Sequence, residues 1–236
     1  MWWLCFLLLP MLCLPLLLPY YRSAYFRGTH LPFLWVRLHK GAWGEYQLYR
    51  AADALPGRKA WLFNLYLPKQ DRATTEIDAV LIHESGVYVF ESKNLQGTVN
   101  GTPTDRDWLL AAPGGKEYLF YNPILQNQTH CDHLSYLAPR ALVYSIIVFG
   151  DGVTPGELPS AHGIHRICTR KALPSLLREL AARVPHQHSV KHQKNIETVL
   201  TPYANASRAA RRRHKEILLR QKQRHEGSQS NETDLP

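Results

Sequence analysis

Residues 77–93 read IDAVLIH, ESG and VYVFESK, two apolar runs that are separated by a short polar break. Both runs are rich in β-branched and aliphatic residues, and the break at residues 84–86 has the composition of a turn, so the stretch predicts a β-hairpin. Side chains alternate between the two faces of a strand. Glu91 and Lys93 are therefore expected on one face and Ser92 on the other.

The length of the hairpin loop sets which residues stand opposite each other. A two-residue loop at residues 84–85 places Asp78 across from Glu91, and one at residues 85–86 places it across from Lys93. Either register gathers the three charged side chains on one face, at one end of the hairpin. A three-residue loop without a bulge would separate them.

Two carboxylates and a lysine at the end of a buried hairpin are costly to leave unpaired. Carboxylate oxygens bind a divalent ion such as Mg²⁺ together with water and a substrate phosphate. A neighbouring lysine can orient or deprotonate the attacking water, or offset charge on the phosphate. The other interpretation is a salt bridge on a solvated sheet edge, which is common and contributes little. The position of Asp78 beside Glu91 and Lys93 favours the metal site.

The segments around the hairpin predict further helices and strands. Residues 40–55 have apolar residues at three- and four-residue spacing and end at Pro56-Gly57, which is typical of an amphipathic helix. Glu45 falls in its first turn, where the helix dipole alone favours a carboxylate. Strands are predicted at residues 61–67 and 141–150 from their apolar composition.

Pro123 suits the first turn of another helix. Gln126, His130 and His133 then follow at spacings that put them on one helical face. We expect Gln126 near the metal site, and His130 either near the substrate phosphate or in a polar stripe that covers the sheet. His130, Cys131 and His133 do not have a recognised zinc-ligand spacing, so a zinc site is not predicted.

Several short motifs follow one another along the chain: GAWGE at 41–45, ID at 77–78, VFESKN at 89–94 with Gly97 after it, Trp108, and NPILQ at 122–126. In this order they resemble the nuclease-related domain family, NERD, over about residues 38–150. That family is similar to the PD-(D/E)xK nucleases. The resemblance implies an α/β fold with a restriction-endonuclease-like α-β-β-β-α-β core and a mixed sheet, and it implies metal-dependent phosphodiester chemistry.

The resemblance also implies roles for individual residues. Asp78 and Glu91 would be the ligands of Mg²⁺ or Mn²⁺, and Lys93 would be the catalytic lysine. Glu45 would be the acidic residue that the helix contributes, and Gln126 the late polar residue of the site. Nucleic acid, DNA in the first place, would be the substrate. Because a fold does not fix an activity, the alternative is a non-catalytic, membrane-tethered module that binds nucleic acid or protein.

The first 21 residues contain no charged side chain and are almost wholly apolar. An apolar run of about seventeen residues is at the short limit for crossing a hydrocarbon layer of roughly 30 Å. Arg22, Arg27, Arg37 and Lys40 follow, so the positive-inside rule places the body of the protein in the cytoplasm. We expect residues 1–21 to form an uncleaved single-pass transmembrane helix, because a signal peptide normally has basic residues before its apolar run. A secreted protein or a lipoprotein is the other interpretation.

The chain has a formal net charge of +9, and much of it lies near the C-terminus. Residues 205–225 hold eight lysines or arginines and one acidic residue. Such a run is usually a solvated or disordered arm, but it can also bind phosphates by counterion release or contact anionic lipid headgroups. We predict nucleic-acid contacts at Arg208, Arg211, Arg212, Arg213 and Lys215. The segment has no aromatic side chain for base stacking, so sequence-specific binding is not expected.

These observations divide the chain into four segments: a transmembrane anchor at 1–21, a juxtamembrane linker at 22–37, a NERD-like domain at 38–186, and a basic helical or disordered tail at 187–236. Two of the four cysteines lie in the apolar segment, which leaves Cys131 and Cys168 for the body. No Cys-x-x-Cys occurs, so zinc-ribbon and redox motifs are excluded. Both body cysteines are expected to stay reduced.

Overall fold

A computed structural model of the 236-residue chain describes residues 17–68, 74–156, 158, 161–184 and 186–204. The helices are α1 (Ala24–Thr29), α2 (Phe33–Leu38), α3 (Lys40–Asp53), α4 (Pro123–Leu137), α5 (Leu173–Arg183) and α6 (Val190–Leu200), with a 3-10 turn at Thr201–Tyr203. The strands are β1 (Lys59–Pro68), β2 (Thr74–His83), β3 (Gly86–Lys93), β4 (Gly97–Asn100), β5 (Asp107–Ala112), β6 (Lys116–Tyr121), β7 (Val143–Phe149), β8 (Val153–Pro155), β9 (Ala161–His162) and β10 (His165–Thr169). Residues 17–22 are also helical.

The described strands form two mixed sheets. The larger has the order β1-β2-β3-β7-β10-β9, in which β7 runs parallel to both β3 and β10 and the other pairs are antiparallel. The smaller has the order β6-β5-β4-β8. The elements α3, β1, β2, β3, α4 and β7 follow the predicted α-β-β-β-α-β order, and β4 to β6 lie between β3 and α4. The prediction of an α/β fold with a mixed sheet is therefore confirmed.

Helices cover both faces of the six-stranded sheet. On one face, α1, α3 and α5 pack on β2 and β3 through a first core that includes Tyr25, Leu48, Tyr88, Phe90 and Leu177. On the other face, α4 and α6 pack on β1 to β3 through a second core that includes Leu65, Val89, Cys131, Leu134 and Ile196. A third core lies between the two sheets and is centred on the fully buried Trp108. Both strands of the predicted hairpin thus lie between two layers of helices.

The hairpin has the first of the two predicted registers. His83 pairs with Gly86 and Ala79 pairs with Phe90, so the loop consists of Glu84 and Ser85. Counted along the same register, Asp78 stands across from Glu91. The recorded pairs end at Ala79 and Phe90, so Asp78 and Glu91 lie just past the last pair, at the end of the hairpin.

The folded domain extends beyond the predicted boundaries on both sides. Residues 22–37, which the sequence suggested as a linker, contain α1 and α2, and Tyr25 and Val36 are completely buried in the first core. Tyr20, assigned above to the membrane anchor, is also buried there, and its hydroxyl donates a hydrogen bond to the carbonyl of Leu31 at 2.6 Å. At the other end, α6 lies past residue 186 and buries Ile196 in the second core. These segments fold because their apolar faces cover the sheet.

Two sequence predictions concern residues outside the described part of the chain. Most of the predicted transmembrane helix lies in residues 1–16, and all of the predicted nucleic-acid contacts, from Arg208 to Lys215, lie beyond residue 204. Within the described residues, the helices are all too short or too polar to cross a bilayer.

Candidate active site

Lys93 is held at the C-terminal end of β3 by two side chains. Its ammonium donates a hydrogen bond to Glu91 Oε1 at 2.6 Å and another to Gln126 Oε1 at 2.9 Å. Glu91 and Lys93 point the same way because they are two residues apart on one strand. Gln126 comes from the first turn of α4, which packs over that face. The structure therefore brings together three of the predicted site residues.

Glu91 is almost fully buried, with 3 % of its surface exposed. Its second oxygen, Oε2, lies 3.4 Å from His130 Nε2, but the two atoms are not aligned for a hydrogen bond. His130 Nδ1 is in turn 2.8 Å from Thr75 Oγ1. Burial acts to raise the pKa of Glu91, but His130 and Lys93 outweigh it and the pKa is lowered. Glu91 is therefore an ionised carboxylate with one oxygen that has no hydrogen-bond partner among the described residues.

Asp78 meets the end of β3 through the backbone. Its Oδ2 accepts a hydrogen bond from the Ser92 N–H at 3.1 Å. Burial raises the pKa of Asp78 well above its usual value, and the negative charges of Glu91 and Glu45 raise it further, while the Ser92 N–H and Lys93 act in the opposite direction. The carboxylates are thus close enough to repel one another. This crowding of negative charge is the electrostatic condition that a cation would relieve.

Glu45 lies on α3, on the opposite side of Asp78 from α4. The hydroxyl of the buried Tyr25 is 3.4 Å from Glu45 Oε2 and 3.2 Å from the carbonyl of Ala42. Burial raises the pKa of Tyr25, and the charges of Glu45 and Asp78 add to this effect. Tyr25 therefore stays a neutral hydrogen-bond donor. Because it lies upstream of the recognisable motifs, the sequence contained no signal for its place beside the site.

Asn94 packs closely against two glycines near the site. Its Nδ2 donates to the carbonyl of Lys40 at 2.7 Å, which ties the start of α3 to the end of β3. A Cβ at Gly44 would lie 2.8 Å from Asn94 Cβ, and one at Gly150 would lie 2.7 Å from Asn94 Oδ1. Both positions therefore need glycine for close packing. A Cβ at Gly41 would meet nothing within 4 Å, so packing gives no reason for glycine there.

Asn122 fixes the start of α4 and hence the position of Gln126. Its Oδ1 accepts the N–H of Ile124 as a helix cap, and its Nδ2 donates to the carbonyls of Thr102, Pro103 and Asp105 at 2.6–3.2 Å. Trp108 Nε1 donates to the same Thr102 carbonyl at 2.8 Å. The motif residues Trp108 and Asn122 thus attach the small sheet to the helix that carries Gln126.

The carboxylates of this site suit a hard divalent cation. Two observations support a fit: Glu91 Oε2 is buried without a hydrogen-bond partner in the described structure, and like charges raise the pKa of Asp78. Among the described residues, no three His, Cys, Asp or Glu side chains converge in a geometry ready to coordinate a metal. Mg²⁺ is usually bound through one or two carboxylates, with water and substrate phosphates as the other ligands, so Asp78 and Glu91 are sufficient.

The sequence predicted part of this arrangement. His130, expected beside a substrate phosphate or in a covering polar stripe, instead contacts Glu91 from the side opposite Lys93, and Thr75 supports it. Thr75 was not foreseen, because it precedes the apolar run at residues 77–83 that predicted the first strand of the hairpin. The cysteines Cys131 and Cys168 are free, and Cys131 is buried in the second core, so it does not take part in the site.

Comparisons with known proteins agree with this geometry. Residues 40–150 match the nuclease-related domain family. An uncharacterised protein of Bacillus anthracis is 31% identical over 104 residues, which cover 44% of this chain and 49% of that protein. The chain therefore spans about half the length of this relative.

Proposed function

Because residues 40–150 match the nuclease-related domain family, which belongs to the PD-(D/E)xK-like nucleases, we propose that this protein is a metal-dependent nuclease that hydrolyses phosphodiester bonds of DNA. The observation that supports it best is the position of Lys93. Its ammonium is held between Glu91 and Gln126, at the end of the strand that faces Asp78.

In this proposal, Asp78 and Glu91 hold Mg²⁺ or Mn²⁺. The bound ion supplies positive charge at the scissile phosphate and activates a water molecule. Lys93 uses two of the three N–H donors of its ammonium on Glu91 and Gln126. The third N–H is available to a phosphate oxygen or to the attacking water, where it offsets the charge that develops in the transition state.

The carboxylate of Glu45 and the amide of Gln126 have supporting roles. Gln126 accepts from Lys93 and fixes the direction of its remaining donor. Glu45 contributes negative charge at the edge of the site, directly or through water, and Tyr25 donates toward it. The basic tail, with Arg208 to Lys215, is proposed to hold DNA through phosphate contacts that weaken with salt.

The activity is tested with the purified full chain on labelled single- and double-stranded DNA, with Mg²⁺, with Mn²⁺ and with EDTA. We expect cleavage that requires the metal. Asp78→Ala is expected to abolish it, because one of the two ligands is lost, while circular dichroism and salt-dependent DNA binding by the tail persist. Asp107→Ala, an exposed aspartate on β5, is the matched control.

Two results would contradict the assignment. Cleavage by Asp78→Ala at the wild-type rate would place the chemistry elsewhere. Metal-independent DNA binding without any cleavage by the wild-type chain would favour the non-catalytic binding module instead.

We further propose that the protein is anchored in a membrane through the apolar residues that precede Tyr20, with its body in the cytoplasm. The apolar segment and the arginines after it support this proposal. So does α2, which presents Leu34 and Leu38 to solvent at 68% and 74% exposure, and Trp35 beside them. An exposed apolar patch next to basic side chains is typical of a surface that contacts lipid headgroups and acyl chains.

The location is tested by expressing the full chain with a C-terminal tag and fractionating the cells. We expect it in the membrane fraction after alkaline carbonate washing, because carbonate removes peripheral proteins. Because the tag would lie in the cytoplasm, protease added to intact cells should leave it uncut and should digest it only after the membrane is permeabilised. Release by carbonate, or a shortened form in the medium, would refute the anchor.

A further inference from the structure

Asn64 has an unusual backbone conformation in the middle of β1. Its φ is 50°, in the left-handed region, while its neighbours on both sides are paired strand residues. Residues other than glycine rarely adopt this conformation, although asparagine tolerates it better than most. Such a conformation costs free energy and persists only where the surroundings impose it.

The pairing of β1 with β2 is interrupted at the same point. The pairs run to Phe63–Ala79 and resume at Leu65–Ile77, so Asn64 and Asp78 stand opposite each other without pairing. We call this unpaired position the β1–β2 step. Asp78, released from the ladder, uses its carboxylate to accept the Ser92 N–H of the next strand.

Both strands exchange faces at the β1–β2 step. Before it, Phe63 packs in the first core and Leu62 in the second; after it, Leu65 packs in the second core, although strict alternation would put it with Phe63. On β2, Ala79 lies in the first core and Ile77 in the second, which again breaks alternation. Regular alternation would have confined the side chain of Asp78 to the face that α4 covers.

The exchange matters because the acidic residues come from different faces. Glu91 contacts His130 of α4 on one face, and Glu45 belongs to α3 on the other. Asp78 stands across from Glu91 in the hairpin register and also accepts the Ser92 N–H. It can do so because it stands at the point where its strand crosses from one face to the other.

We propose that Asn64 is a positioning residue: its left-handed backbone creates the β1–β2 step, and the step places Asp78 between Glu91 and Glu45. This inference depends on the proposed function only in taking Asp78 as a metal ligand. The effect of Asn64 on the backbone does not depend on it. The backbone conformation of Asn64, and not its side chain, creates the step. Glycine at this position should therefore preserve the step, whereas a β-branched residue should disrupt it.

The experiment compares Asn64→Gly, Asn64→Ala and Asn64→Val in the full chain. The Ser92 amide is the direct reporter, because its hydrogen bond to Asp78 depends on the step and needs no metal. Hydrogen exchange at this amide, measured by NMR in EDTA, should stay slow in Asn64→Gly and become faster in Asn64→Ala and Asn64→Val. Mn²⁺ affinity, measured by electron paramagnetic resonance, should fall by about 10- to 100-fold in the same two variants.

His30→Val is the matched control. His30 also has a left-handed backbone, with φ of 54°, but it is an exposed residue at the end of α1. Its substitution introduces comparable strain elsewhere and should leave both the Ser92 amide and the Mn²⁺ affinity unchanged.

Two results would overturn the proposal. Folded Asn64→Ala or Asn64→Val with a protected Ser92 amide would show that the step does not depend on this residue. Loss of protection in Asn64→Gly as large as in Asn64→Val would show that the carboxamide acts, not the backbone. If the wild-type chain bound no metal, the proposed function would fail, but the Ser92 exchange rates would still decide the role of Asn64.

Discussion

Lys93→Met is expected to reduce metal-dependent cleavage by about 10²- to 10⁴-fold, the range found for groups that move protons or stabilise charge in a transition state. Methionine keeps the length and the apolar stem of lysine but has no N–H to offer a phosphate or a water. Asp78 and Glu91 remain, so Mn²⁺ binding should persist. The measurement is single-turnover cleavage of labelled DNA with saturating metal, beside a Mn²⁺ titration.

Lys116→Met is the control for this substitution, because Lys116 is exposed on β6 and makes no ion pair within the described structure. It should cleave at the wild-type rate. The cleavage rate of Gln126→Leu should lie between those of Lys93→Met and Lys116→Met, because the Lys93 ammonium would keep its hydrogen bond to Glu91 but lose the one to Gln126. A Lys93→Met protein that retains full activity would remove the lysine from the mechanism.

Asp78→Asn and Glu91→Gln are expected to change stability in opposite directions, although both replace a carboxylate by its amide. The pKa of Asp78 is raised by burial and by its acidic neighbours. Ionised Asp78 therefore destabilises the metal-free protein, and Asp78→Asn should raise the free energy of unfolding by about 1–2 kcal/mol at pH 7. Asparagine can still accept the Ser92 N–H.

Ionisation of Glu91 has the opposite effect on stability, because His130 and Lys93 lower its pKa despite burial. Its ionised form stabilises the fold, and Glu91→Gln leaves Lys93 without its charged partner. We expect a loss of about 2–4 kcal/mol at pH 7. Both variants should lose the stabilisation that a saturating divalent ion gives the wild-type chain, about 2.7 kcal/mol at a hundredfold excess over its Kd.

The pH dependence follows from the two pKa directions. The penalty from Asp78 develops as the pH rises from its usual value of 3.8 toward the raised value in the folded protein, so the advantage of Asp78→Asn should grow over this range. The contribution of Glu91 is complete above its usual value of 4.5 and is lost as the pH falls through the lowered folded value. Urea unfolding in EDTA, measured from pH 8 down to well below the usual pKa of 4.5 for Glu91, covers both ranges. Equal effects of the same sign would contradict this account.

The sequence alone was sufficient to predict the elements that depend on signals within a few neighbouring residues. The turn at residues 84–86 and the apolar runs beside it limited the hairpin to two registers, of which the structure has the first, and Pro123 marked the first turn of α4. These signals act over a few residues, so a single sequence reveals them. The positions of Glu91, Lys93 and Gln126 followed from them.

The parts that were missed depend on contacts between distant segments. Residues 22–37 contain basic residues and a proline and therefore suggested a linker, but Tyr25 and Val36 find burial against α3 and the sheet. The change of faces at Asn64 has no sequence signature, because asparagine is common in loops and strands alternate by default. His130 could be placed on the correct helical face, but its partner could not, since Thr75 comes from a strand 55 residues earlier.

The attachment of the small sheet connects it directly to the candidate active site. The chain leaves β3 directly after Lys93, builds β4 to β6, and returns through Asn122 to reach Gln126. The two ends of this excursion are thus the two partners of a single 2.9 Å hydrogen bond. The loop before the β5–β6 hairpin is thus joined, through the Asn122 cap and the first turn of α4, to the ammonium group of Lys93.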